Sequence, residues 1–248
     1  MNVIIRPDEQ SVTDTAYLFV KDRMNRKRYR VLGLPTGGTP LRLYRALVEG
    51  HQRGDIDFAD VHTFNLDEYI GLEGDHPQSY RHFMQVNLFD HINIAADNIH
   101  FLSGLPTDIE DECEAYEEAI VELGGIKLQI LGIGRTGHIG FNEPTSSLAS
   151  RTRDKTLTRE TVEDNRRFFD SDEEVPRWAL TMGVGTIMEA REILLIATGR
   201  SKADAVAAMV EGPVTAMCTA SALQMHPRTT VILDEAAAAK LDEDEYYR

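Results

Sequence analysis

The chain is predicted to fold as one α/β domain around a mostly parallel sheet with helices on both faces. Three observations predict this. Short β-rich runs recur along the chain, each followed by a turn and a helix-like segment, the pattern of βαβ units. The 248 residues suffice to bury a large core. No internal repeat, low-complexity tract or Pro/Ser-rich linker divides the chain, so residues 1–248 read as a single domain.

In chain order, apolar residues at helical spacing predict a helix over Val12–Arg28. A buried strand, Arg30–Leu34, then runs into the turn Pro35 to Thr39. Thr39 suits an N-cap and Pro40 a first helical turn, so the next helix is expected over Pro40–Glu49. Strands follow at Val61–Asn65, Lys127–Ile133, Glu192–Thr198 and Thr229–Leu233, with helices at Ile109–Leu123 and Lys202–Val210. The acidic tail LDEDEYYR reads as a solvated end.

A net charge of -15 argues against a nucleic-acid or anionic-membrane binder. An anionic ligand would have to be met locally by a few basic residues. The two cysteines, Cys113 and Cys218, show neither a pairing pattern nor metal-ligand spacing. The N-terminus lacks a signal-peptide apolar block, and no run approaches membrane-spanning length. A cytoplasmic protein with no metal site is expected.

Chemistry-bearing residues concentrate just past the strand ends, where open α/β sheets bind ligands. In LGLPTGGTP, paired Gly37 and Gly38 let backbone N–H groups approach an anion, and the helix start adds partial positive charge. In TFNLDEY, Asp67 and Glu68 are adjacent, so one can face a cleft while the other turns away. A carboxylate there can act as a general base. Gly132 to Gly137 spells G-x-G-x-x-G, yet a dinucleotide site is rejected. The turn should open a helix, and instead His138-Ile-Gly-Phe-Asn-Glu-Pro follows, unsuited to a helix interior. Its glycines hold His138 and Glu143 near one cleft. Gly199 to Lys202 makes a second candidate phosphate turn, and Arg151, Arg153, Lys155, Arg166 and Arg167 form a basic cluster suited to an anion. Together these residues suit a small phosphorylated substrate and proton-transfer chemistry, with no cofactor called for.

LGLPTGGTP, TFNLDEYIGL with HPQSY, GIGRTGHIGFNEP, SSLASRTR-KTLT, RFFD and ALTMGVGTIM resemble the glucosamine-6-phosphate deaminases, over a span from about Val31 to Asp234. The resemblance implies a single Rossmann-like domain without a nucleotide. It implies conversion of glucosamine 6-phosphate and water to fructose 6-phosphate and ammonia. By motif, Asp67 would move a proton from C2 of the opened sugar to C1. His138 would move a proton during ring opening, with Glu143 holding the imidazole. The phosphate would sit against Gly37, Gly38 and Thr39, with Arg167 and Lys202 closing on it. Thr136 stands where the family carries aspartate or asparagine; it can hydrogen-bond to the site but supplies no charge. Ser146, Arg153 and Lys155 resemble the place where some members bind an activating amino-sugar phosphate between subunits of a hexamer, so a homo-oligomer is implied. Two alternatives stand beside this: a sugar-phosphate lactonase of the 6-phosphogluconolactonase kind, which activates water instead, and a non-catalytic sugar-phosphate sensor.

Overall fold

The computed structural model describes residues 1–166, 169, 175–242 and 247. Seven strands form one parallel sheet: β1 (Asn2–Arg6), β2 (Val31–Leu34), β3 (His62–Asn65), β5 (Ile99–His100), β6 (Leu128–Leu131), β9 (Ile193–Ala197) and β10 (Thr229–Asp234). Their spatial order is β1-β10-β9-β6-β2-β3-β5. The helices are α1 (Glu9–Met24), α2 (Gly38–Gln52), α3 (Tyr80–Asn87), α4 (Ile109–Glu122), α5 (Arg159–Arg166), α6 (Val184–Met188) and α7 (Ala203–Val210). A separate antiparallel sheet joins β4 (Asp67–Tyr69), β8 (Trp178–Thr181) and β7 (Arg153–Thr156). No helix among the described residues is long and apolar enough to cross a membrane.

Period-2 alternation along the central strands builds a core on each face of the sheet. Leu32, Leu34, Ile130, Leu194, Ile196 and Ile232 pack with Val12, Ala16 and Val20 of α1 and Leu43, Tyr44 and Leu47 of α2. The intervening Val31, Leu131, Ile193, Leu195, Val231 and Leu233 pack on the other side with Tyr116 and Ile120 of α4 and Val206 and Met209 of α7. Helices therefore cover both faces, as expected for strands that are apolar at every position. The parallel α/β architecture is the one the recurring runs predict, although several ends move. The first helix starts earlier, at Glu9, because Asp8 caps it by accepting the Ser11 N–H at 2.7 Å. The strand expected over Lys127–Ile133 ends at Leu131, where the glycine turn begins.

The strand order sets the position of the site. From β2 the chain builds outward through β3 and β5, and from β6 it builds the opposite way through β9 and β10. β2 and β6 are neighbours, so the direction reverses between them and a crevice opens beyond their C-terminal ends. The turns that follow β2 and β6 are the two glycine turns singled out above.

Candidate active site

A cleft of ≈ 400 Å³ lies at this reversal point. Gly37, Gly38, Thr39, Asp67, His138 and Lys202 all line it, contributed by the segments after four different strands, β2, β3, β6 and β9. Thr136 and Glu143 stand behind His138. Arg167 lies outside the described residues.

At the end of β2, Gly37 adopts φ 110°, a left-handed-side conformation that suits glycine, and α2 begins at once with Gly38. This corrects the expectation that Thr39 caps the helix. The turn at Gly37 lets the helix start one residue before Thr39, leaving a cap without a side chain. A Cβ at Gly37 or Gly38 would meet nothing within 4 Å, because both face open cleft. The first-turn N–H groups have no intrahelical acceptor, so they and the helix dipole form an anion-binding edge.

Asp67 follows β3 by two residues and opens the small sheet, paired in register with Thr181. Its side chain is buried, and among the described residues nothing hydrogen-bonds its carboxyl. Burial, and then the neighbouring Glu68 charge, push its pKa up to about 8. Glu68 turns the other way, as adjacency predicts. Its Oε1 accepts the Tyr69 and Tyr80 N–H groups at 2.8 and 2.9 Å, and its Oε2 accepts that of Arg81 at 2.9 Å. Burial raises the Glu68 pKa on balance, although the three backbone donors oppose it. Glu68 thus caps α3 while Asp67 remains available to a ligand.

The turn after β6 stays irregular to Arg151, so G-x-G-x-x-G opens no helix here. Gly134 N–H donates to His138 O at 2.9 Å and Gly137 N–H to Gly134 O at 3.1 Å, closing a tight loop. The imidazole lies against Gly134, where a Cβ would come within 2.3 Å of its Cε1 and Nε2. Thr136 Oγ1 is 2.8 Å from His138 Nδ1. Glu143 Oε2 is also close, 3.0 Å from Nδ1, but off the hydrogen-bonding direction: it has the distance of an ion pair without the alignment of a hydrogen bond. Nδ1 is engaged on this side, which leaves Nε2 as the nitrogen free to serve a ligand. Burial tends to raise the Glu143 pKa, but His138, Thr161 and Thr158 outweigh it and hold the carboxyl below its usual range.

The segment from Ala216 to Ala220 straps this loop in place. Ala220 N–H donates to Gly137 O at 2.9 Å, Thr219 Oγ1 to Asn142 O at 2.7 Å, and Thr145 N–H to Ala216 O at 2.8 Å. Lys202 ends a short 3-10 turn, Arg200–Lys202, and precedes α7 instead of opening it. Gly199, at φ 86°, redirects the chain there, and both Asp234 carboxylate oxygens accept its N–H at 3.0 Å.

The basic cluster is divided. Arg151 is committed to Glu117 at 2.5 Å and Glu189 at 2.7 Å, which corrects its assignment to anion recognition. Arg153 Nη1 donates to Asn142 Oδ1 at 3.0 Å, against the His138 loop. Lys155 lies two residues along β7 and so on the same face, while Ser146 buries an unpartnered hydroxyl. Among the described residues no hydrogen bond or ion pair joins these three. Sequence reasoning also missed the aromatic wall of Tyr69, Tyr80, Phe141 and Phe169, whose rings stand 4.8–5.9 Å apart. The quoted HPQSY stretch contained the signal, since Ser79 caps α3 and Tyr80 faces the cleft.

Residues 9–232 match the profile of the family described as glucosamine-6-phosphate isomerases/6-phosphogluconolactonase. The chain belongs to this family. A relative from Hahella chejuensis (strain KCTC 2396), named glucosamine-6-phosphate deaminase, is 56% identical over 248 residues, covering 100% of this chain and 95% of its own. One of the same name from Thermoanaerobacter pseudethanolicus is 51% identical over 245 residues, covering 98% and 97%. A solved family structure, described as a monomeric glucosamine-6-phosphate deaminase, superposes with TM-score 0.94 at 42% identity, covering 97% of this chain and 100% of that one. The 6-phosphogluconolactonase from Trypanosoma cruzi superposes with TM-score 0.78 at 19% identity, covering 97% of each chain, and shares the family fold alone.

Proposed function

We propose that the protein converts glucosamine 6-phosphate and water to fructose 6-phosphate and ammonia. One observation carries this: a buried, unpartnered carboxyl, Asp67, lines the same cleft as an imidazole and a helix start free to take phosphate. The substrate phosphate lies against Gly37, Gly38 and Thr39, with Lys202 adding positive charge and Arg167 joining it by motif. His138 moves a proton between O1 and the ring oxygen, opening the pyranose, while Thr136 and Glu143 hold Nδ1. Ionised Asp67 takes the C2 proton, leaving an enolamine, and returns a proton to C1 to give the 2-imine. Water adds to that imine, ammonia leaves, and the ketose remains. One carboxylate can serve both carbons because they are adjacent.

A burial-raised acid works as a base only above its pKa. The free enzyme's kcat/KM is therefore expected to climb as pH rises through about 8, where Asp67 loses its proton. A profile flat from pH 6 upward would exclude Asp67 as the base. Thr136→Val removes one hydrogen bond to His138 and is expected to lower kcat about tenfold with KM little changed. Steady-state kinetics at saturating substrate checks this.

The reaction itself is tested by following ammonia and fructose 6-phosphate together from glucosamine 6-phosphate; equal amounts are expected, and release of neither would sink the assignment. The homo-oligomer rests on family resemblance, and sedimentation with and without N-acetylglucosamine 6-phosphate tests both assembly and the activating site at Ser146, Arg153 and Lys155. We infer a cytoplasmic location from two cysteines that are both free and buried.

A further inference from the structure

We propose that Thr158 and Thr161 are positioning residues for ring opening, their hydroxyls fixing one oxygen of Glu143 so that the other faces His138. This rests on the reaction proposed above. Glu143 is buried at 3% exposure, and its two oxygens have separate duties. Oε2 stands 3.0 Å from His138 Nδ1. Oε1 accepts hydrogen bonds from Thr158 Oγ1 at 3.2 Å and, more closely, from Thr161 Oγ1. Both threonines belong to the start of α5. Thr158 Oγ1 accepts the Thr161 N–H at 3.2 Å and Thr158 O accepts that of Val162, so Thr158 caps the helix. Thr158 Oγ1 also lies 3.1 Å from Thr161 Oγ1. Each hydroxyl has one proton: Thr161 donates its own to Oε1, and Thr158 can donate its own either to Oε1 directly or to Thr161 Oγ1, so either arrangement ends on the carboxylate.

This is more than capping. A cap needs Thr158 alone, whereas Thr161 lines the cleft and spends its proton on a carboxylate 18 residues away. A carboxylate held only through Oε2 could rotate about its last side-chain bond and lose the imidazole. Fixing Oε1 removes that freedom. His138 is the titratable group in contact with Glu143 among the described residues. Burial pushes the Glu143 carboxyl up, and His138 with the two hydroxyls brings it down below its usual range. Losing a hydroxyl therefore raises it, and the lower acid limb of activity, below the Asp67 limb near pH 8, should move to higher pH.

The test compares Thr161→Val, which keeps the shape without the hydroxyl, with Thr161→Ser, which keeps the hydroxyl. For Thr161→Val, kcat for glucosamine 6-phosphate should fall about tenfold with KM within about threefold, and the lower acid limb of kcat/KM, below that of Asp67, should shift upward. Thr161→Ser should restore both. In a crystal structure of Thr161→Val, the Oε2–Nδ1 separation should open beyond about 3.5 Å. Thr161→Ala carries the same expectations if valine disturbs folding. Unchanged kcat and pH limb with the 3.0 Å contact intact would overturn the proposal, as would Thr161→Ser behaving like Thr161→Val. A helix cap alone would lower Tm and leave the pH limb still. Wild-type protein that releases no ammonia would overturn the reaction instead, and the crystallographic separation would then decide the positioning role.

Discussion

Asp67→Asn is expected to lower kcat for glucosamine 6-phosphate by about 10³-fold while KM stays within a few-fold. The amide is nearly isosteric with the carboxyl, so the cleft keeps its shape and the phosphate edge at Gly37 and Gly38 is untouched. What disappears is the group that accepts the C2 proton. The same substitution should act oppositely on stability. The Asp67 pKa is raised from 3.8 to about 8 in the folded protein. A group so raised contributes stability that is fully present below its unfolded pKa and lost as pH rises through the folded one. At pH 9 wild-type Asp67 is a buried charge without a partner, a penalty on the order of a few kcal/mol that asparagine does not incur. Thermal denaturation at pH 9 should therefore show Asp67→Asn with the higher Tm. Toward pH 5, where the wild-type carboxyl is protonated in the folded protein, the gap should narrow, and it should close below the unfolded value of 3.8. An inactive mutant without this pH-dependent gain would mean that the substitution distorts the cleft.

Gly134→Ala should cost about 10²-fold in kcat, more than its effect on stability suggests. The added Cβ would sit 2.3 Å from Cε1 and Nε2 of His138 and 2.6 Å from Cδ2. The clash is with a side chain that can move, so the fold yields at a cost of about 1–3 kcal/mol. In yielding, the imidazole leaves Thr136 Oγ1 and Glu143 Oε2, which set its orientation. Kinetics and thermal denaturation of one preparation separate the two effects. Wild-type kcat in this variant would mean that His138 takes no part in the slow step. The second glycine of an apparent dinucleotide fingerprint is thus required for close approach of a side chain, where that fingerprint would need approach of a pyrophosphate.

The site was more legible in the sequence than the fold around it. Strand ends were readable because the central strands are continuous apolar runs closed by glycine or proline, and residues just past such ends converge when the strands are parallel. Asp67, His138, Lys202 and the Gly37-Gly38 turn could therefore be placed together before any contact was known. The antiparallel sheet was not legible. Its strands include DEY and RDKT, which show no apolar alternation and pair through tertiary contacts. β1 escaped for a similar reason, since Asn2–Arg6 has only two buried residues and gains its pairing from β10, more than 200 residues away. The different fates of Asp67 and Glu68 could be anticipated as a choice between neighbours. Which one turned inward depended on the α3 N-terminus, whose Tyr80 and Arg81 N–H groups, together with that of Tyr69, claim Glu68. Thr158 and Thr161 were not legible as site residues, because their tie to Glu143 exists only once α5 packs over the loop.

The role given to Asp67 is open to one direct measurement. Glucosamine 6-phosphate deuterated at C2 is converted by the wild-type enzyme in D₂O, and C1 of the fructose 6-phosphate is examined by NMR. Every hydrogen that the carboxyl can carry is then deuterium, whether taken from C2 or exchanged with solvent. One full deuterium at a single one of the two C1 positions is the expected product. Ammonia release with no deuterium at C1, or with deuterium spread over both positions, would be incompatible with one carboxylate serving C2 and C1 from one side.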